Sequence, residues 1–236
     1  MDEVFLNDDL TINFSKITDK IIHRYFKDLD SYYKDKFTDE QGREIYTHDR
    51  IRKRLVKVLK KHRQKEILLI AHSMGSILTY DVLTEITPDI EIDTLVTMGS
   101  PLGIPIVISR ISAEQSHDNE KRTRLRAPEN VKRKWYNMSD LDDRIAFNYN
   151  LSDDYDENIH HVTPKDFIVK NNYRYKDTIN PHSSHGYLRT PEMAEIIDDF
   201  LKFNRPRLVN WIMAKINNFF LPKGSYSIER NRIEPG

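Results

Sequence analysis

The chain has 236 residues, 37 basic and 37 acidic side chains, and no cysteine. The zero net charge gives no overall pull towards nucleic acid or an anionic membrane, and the missing cysteines exclude disulfides, a thiol nucleophile and thiolate metal sites. At about 150 residues per domain, this length fits one large domain with additions.

No run approaches the ~18 apolar residues of a membrane span, and MDEVFLNDDL lacks the layout of a signal peptide, so a soluble cytoplasmic protein is expected. Residues 11–36 carry apolar side chains every three or four positions and predict a helix. A second helix is expected from Ile45 to His62, with Ile51, Leu55, Val58 and Leu59 as its apolar stripe. Arg50, Arg52, Lys53, Arg54, Lys57, Lys60 and Lys61 read as its solvated face rather than as a nucleic-acid or lipid surface, because the chain is neutral as a whole.

The period then changes. Ile67–Ala71 is a continuous apolar run, as expected of a strand buried on both faces of a parallel sheet. A helix follows Gly75 and ends near Pro88, and a second apolar strand covers Ile92–Met98 before Gly99-Ser100-Pro101. Strand, helix, strand in this spacing is a βαβ unit, which makes the fold α/β. Further strands are expected at Val131–Ser139 and, more weakly, Phe167–Lys170, with the charged stretch 109–134 read as a lid. Pro191 opens the last helix of a domain spanning residues 1–205. Residues 206–236 read as an amphipathic helix with a polar tail. Its segment 207–221, bearing Trp211, Phe219 and Phe220, suits either peripheral membrane contact or docking on the domain.

The chemistry concentrates in ILLIAHSMGSILTYDVL. A buried strand enters Ala71-His72-Ser73-Met74-Gly75 and a helix leaves at once, which is the layout of a nucleophile elbow holding the Ser73 hydroxyl clear of the backbone. Ala71 and Gly75 are read as the small residues that allow strand and helix to approach closely. The N–H of Met74, at the helix start, would face a developing oxyanion. A serine needs a base, and the base an orienting acid. Asp140, Asp142 and Asp143 follow the third strand, and His182 and His185 stand before the last helix, in the order Ser, Asp, His. His72 is read as a packing or orienting residue and Ser100 as a turn residue.

A-H-S-M-G-S-I-L, T-M-G-S-P-L-G, W-Y-N-M-S-D-L-D-D-R-I-A and N-P-H-S-S-H-G-Y-L together resemble the lipase- and esterase-like serine hydrolases of the α/β-hydrolase superfamily, over roughly residues 45–204. The resemblance implies a mostly parallel sheet with helices on both faces and an ester, small-molecule or lipid, as substrate. It implies Ser73 as nucleophile, Asp143 as acid with Asp140 as alternate, and His182 as base with His185 as alternate. It calls for no metal, cofactor or nucleic acid and leaves the oligomeric state open. The family pattern also has an upstream strand ending in His-Gly that supplies a second oxyanion donor. Here 66 residues precede the elbow strand, Gly42 is their sole glycine, and only Val4–Leu6 reads as a scrap of strand. The expectation is a chain with its N-terminal strands truncated. The alternatives to an enzyme are a non-catalytic hydrolase-like binding module or a fragment of a larger hydrolase.

Overall fold

The computed structural model describes residues 27, 31–32, 34–38, 41–115, 124–146, 148–175 and 178–203. Most of the expected helix 11–36, the Val4–Leu6 segment and the expected helix 207–221 lie outside the described residues. The chain divides into two compact units between Ile51 and Arg52.

In the first unit, strands β1 (Lys36–Thr38) and β2 (Glu44–Tyr46) form an antiparallel hairpin with Phe37 opposite Ile45. Gly42 has φ +79°, which a residue without Cβ adopts at no steric cost. Helix α1 (Thr47–His62) begins here and runs on into the second unit.

The second unit is organised by four parallel strands in the order β3 (Leu68–His72), β4 (Ile92–Met98), β6 (Val131–Ser139) and β8 (Pro164–Ile168). Between them the chain forms helix α2 (Met74–Asp81), a π turn (Val82–Ile86), helix α3 (Pro105–Gln115) and the short strands β5 (Leu125–Arg126) and β7 (Tyr155–Asp156). After β8 come a small hairpin, β9 (Arg174–Tyr175) and β10 (Thr178–Ile179), then helices α4 (Ser184–Leu188) and α5 (Pro191–Phe203).

Every residue of β4 is buried, as a central strand requires, whereas β3 is paired on one side only among the described residues and its first three residues are half-buried. Alternation along the strands sorts the core into two faces. Val96, Met98, Tyr136 and Met138 pack with Met193 and Ile196 of α5. On the other face Trp135 lies 5.1 Å from Tyr155, edge-on, and 6.4 Å from Tyr80 of α2. Helices therefore cover both faces of the sheet. Polar groups within β4 are paired: Asp93 with Arg133 at 3.0 Å, and the Thr97 hydroxyl, which accepts from Trp135 Nε1 at 3.1 Å and donates to Asn137 Oδ1 at 3.0 Å.

The structure corrects the sequence reading at several places. The fourth strand is Pro164–Ile168, earlier than Phe167–Lys170, because pairing with Trp135–Ser139 fixes its extent and a proline is tolerated at a strand's first position. The stretch read as a lid contains the start of β6 and strand β5, so residues 125–126 and 131–134 belong to sheets. On α1, Val58 is exposed, while Arg52 is buried with its guanidinium 2.6 Å from the buried Asp81 carboxylate and 3.6 Å from Glu85. A cation with such partners replaces part of the apolar stripe.

Candidate active site

The C-terminal ends of three parallel strands converge on one place. His72 pairs with Met98, Met98 with Met138 and Met138 with Phe167, so the residues leaving β3, β4 and β6 emerge side by side. Ser73 leaves β3 with φ 55° and ψ −132°, and α2 starts at the next residue. An L-residue in this region costs about 1–3 kcal/mol, and such strain collects where surrounding contacts hold a side chain in place for use. Here the Ser73 N–H donates to the Met98 carbonyl at 3.1 Å and its carbonyl accepts the Ser76 N–H at 2.9 Å, pinning the turn from both sides. Gly75 needs another account than the close approach read from sequence, since a Cβ there would meet nothing within 4 Å. Met74 opens α2, so its N–H belongs to the first turn, which has no intrahelical acceptor.

The loop after β6 is a succession of tight turns. Asp140 is buried; its Oδ1 accepts the Asp142 N–H at 2.8 Å and its Oδ2 accepts the N–H of Asn171. That is the work of a residue holding a turn. Asp143 is held by its own N–H to the Asp140 carbonyl at 2.9 Å, and its fully buried carboxylate accepts the Ile145 N–H at 3.0 Å.

The loop between β10 and α4 carries His182. His182 Nδ1 lies 2.9 Å from each Asp143 carboxylate oxygen, and its Nε2 lies 2.9 Å from Ser73 Oγ. A carboxylate oxygen only accepts, so Nδ1 carries the proton and Nε2 is left to accept from the serine hydroxyl. The structure thus brings Ser73, His182 and Asp143 into one chain of hydrogen bonds. It leaves both alternates out of that chain: Asp140 holds its turn, and His185 is exposed and stacked on Tyr173 at 5.6 Å. Ser100 is buried with its hydroxyl oxygen accepting the Leu102 N–H at 3.3 Å.

Two residues not assigned a role from sequence complete the site. Tyr187, fully buried in α4, donates its hydroxyl to Asp143 Oδ2 at 2.7 Å and accepts the Asp140 N–H at 3.0 Å. Burial first, then the neighbouring Asp143 charge, pushes its pKa far above the ordinary phenol range, so it stays a donor. Gly99, the residue after β4, has φ 55°, and a Cβ there would come within 2.9 Å of Asp143 Oδ2, 3.1 Å of Tyr187 and 3.2 Å of His182 Nδ1. The signal for both was in plain view: Tyr187 stands in the G-Y-L motif and Gly99 ends an apolar strand.

His72 lies beside His182. Its ring is 4.7 Å from that of His182, and its Nε2 is 2.8 Å from the His182 carbonyl. Desolvation, then the adjacent His182, lowers its pKa, so the ring is held neutral with its proton on Nε2 facing that carbonyl.

Residues 39–115 match the family model for lecithin:cholesterol acyltransferase. This is a family of lipase-like α/β hydrolases. The matched stretch contains β3, Ser73, α2, β4 and α3, and stops before Asp143 and His182. The parallel sheet with helices on both faces agrees with that likeness. No curated protein and no solved structure matches the chain.

Proposed function

We propose that this chain is a serine hydrolase of carboxylic esters, with lipid esters as its substrate class. The observation carrying this reading is the hydrogen-bonded line Ser73–His182–Asp143, built on a strained strand-to-helix turn at the C-terminal end of a parallel sheet. The likeness of residues 39–115 to the lecithin:cholesterol acyltransferase model supports the lipid ester as substrate class.

In this mechanism His182 Nε2 takes the Ser73 hydroxyl proton as Oγ attacks the ester carbonyl carbon. The negative charge that forms on the carbonyl oxygen is met by the Met74 N–H at the start of α2. The C–O bond to the alcohol then breaks, the leaving oxygen takes the proton from His182, and the acyl group remains on Ser73. Water, deprotonated by the same nitrogen, attacks the acyl carbon; the bond to Ser73 Oγ then breaks, Oγ takes the proton back from His182, and the acid is released. Asp143 accepts from Nδ1–H throughout and compensates the imidazolium that forms in each half.

A fluorophosphonate probe tests the reading. An adduct on Ser73, mapped by mass spectrometry and lost on prior denaturation, is the expected result. A folded chain that takes up no probe overturns the enzyme reading and favours a hydrolase-like binding module.

A further inference from the structure

Asn171 lies on the loop after β8, and its side chain is fully enclosed, with 1% exposure. Its Nδ2 donates to the Pro181 carbonyl at 2.7 Å and to the Ser183 carbonyl at 2.8 Å, the two carbonyls flanking His182. Its Oδ1 accepts the Tyr173 N–H at 3.2 Å, which fixes the orientation of the amide, since carbonyls only accept and an N–H only donates. The backbone N–H of Asn171 donates to Asp140 Oδ2, the turn residue of the loop that carries Asp143. The carbonyl of His182 itself is taken by His72 Nε2. Three consecutive carbonyls, 181 to 183, are therefore each held by a side chain from outside their loop. Gly186 is part of the same arrangement, because a Cβ there would overlap the Asn171 amide.

We propose that Asn171 is a positioning residue for the general base: its amide clamps the backbone on both sides of His182 while its N–H ties that clamp to the acid loop. The inference rests on the reading of His182 as base. Both amide donors land on the loop that carries His182 and the backbone N–H on the loop that carries Asp143, while Oδ1 is satisfied within its own loop by Tyr173. With both ring nitrogens already bonded, the His182 side chain has little freedom to offset a displaced main chain, and a misplacement of about 1 Å in such geometry can cost about 10²-fold in rate.

The test uses the full chain and two variants, Asn171→Ala and the isosteric Asn171→Asp, which keeps the acceptor for Tyr173 and removes both donors. Three quantities are read: kcat and KM on a short-chain p-nitrophenyl ester, melting temperature, and the low-field proton resonance of His182 Nδ1–H in its bond to Asp143. We expect kcat to fall by about 10²-fold with KM within about twofold in a sample that still melts cooperatively. The low-field resonance should shift or broaden beyond detection. A kcat within about twofold of wild type, or an unchanged resonance in a folded variant, overturns the proposal. If Asn171→Ala fails to fold, Asn171→Asp decides by the same criteria. The resonance needs no turnover, so a wild-type chain inert to fluorophosphonate overturns the enzyme reading separately and leaves the clamp to be decided by the spectrum.

Discussion

Replacing Gly99 by alanine perturbs the candidate site from a position that bears no reacting group. Two costs add. At φ 55° an L-residue pays about 1–2 kcal/mol in backbone strain. The new Cβ also stands 2.9 Å from Asp143 Oδ2, 3.1 Å from Tyr187 Cε2 and 3.2 Å from His182 Nδ1, about 0.5 Å inside ordinary contact at the closest. All three belong to one buried hydrogen-bonded group, so no flexible side-chain end can swing away; overpacking of this kind costs about 1–3 kcal/mol. The sum is about 2–5 kcal/mol of lost stability, read from urea unfolding by linear extrapolation. Since the contact is relieved by moving the acid or the base, a displacement of about half an ångström should lower kcat on a short-chain ester about tenfold. Gly42→Ala is the control: φ there is also positive, at +79°, but nothing lies within 4 Å, so strain alone is added and kcat should hold. A Gly99→Ala protein within about 0.5 kcal/mol of wild type and with kcat within about twofold would refute the argument that this backbone must pass bare beside the site.

Other expectations are more direct. Ser73→Ala should leave less than about a tenth of the ester hydrolysis while the melting temperature holds; greater residual activity would place the nucleophile elsewhere. Tyr187→Phe strands the buried Asp140 N–H and removes a donor from Asp143, so urea unfolding should show a loss of about 1–3 kcal/mol together with a lower kcat. Arg52→Ala leaves the Asp81 carboxylate buried beside a lost cation and should cost about 3–5 kcal/mol by the same assay, with activity per folded molecule retained. Burial and the adjacent His182 hold the His72 pKa below the ordinary histidine value of 6.5, so as pH falls the unfolded chain binds the extra proton first. Its contribution is complete above that value and is lost as pH falls from there towards the lowered folded pKa. A His72→Gln protein should therefore show a flatter stability profile below about pH 6.5 in urea titrations than the parent.

The central strands were legible because their signal is local. Ile92–Met98, an apolar run closed by Gly99, and Val131–Ser139, closed by Asp140, both keep their limits to the residue. The strand-to-helix turn at Ser73 was legible for the same reason, since strand, turn and helix are contiguous. β8 was misplaced because an outer strand beginning Pro-Lys-Asp carries little apolar signal, and its extent is fixed by a partner elsewhere in the chain. Arg52 read as solvated because nothing within α1 marks an arginine whose carboxylate partner is 29 residues away. Gly75 drew attention through its motif, yet the described glycines under steric constraint are Gly99, Gly103 and Gly186. Asn171 has no motif at all: its role consists of side-chain bonds to the carbonyls of a distant loop, a pattern that exists only once the chain has closed.

The span of the bond between His182 and Ser73, 109 residues, has a consequence for how the molecule acquires its chemistry. Parallel pairing with long crossovers makes for slow folding, because chain entropy is spent before distant contacts repay it. The β3–β4 pair can assemble from a continuous segment of some 30 residues, and it already forces Ser73 into its strained turn. His182 arrives only after β6, β8 and the following hairpin have found their order. During refolding, secondary structure should therefore return ahead of reactivity, with the strained serine waiting on the last loop to dock.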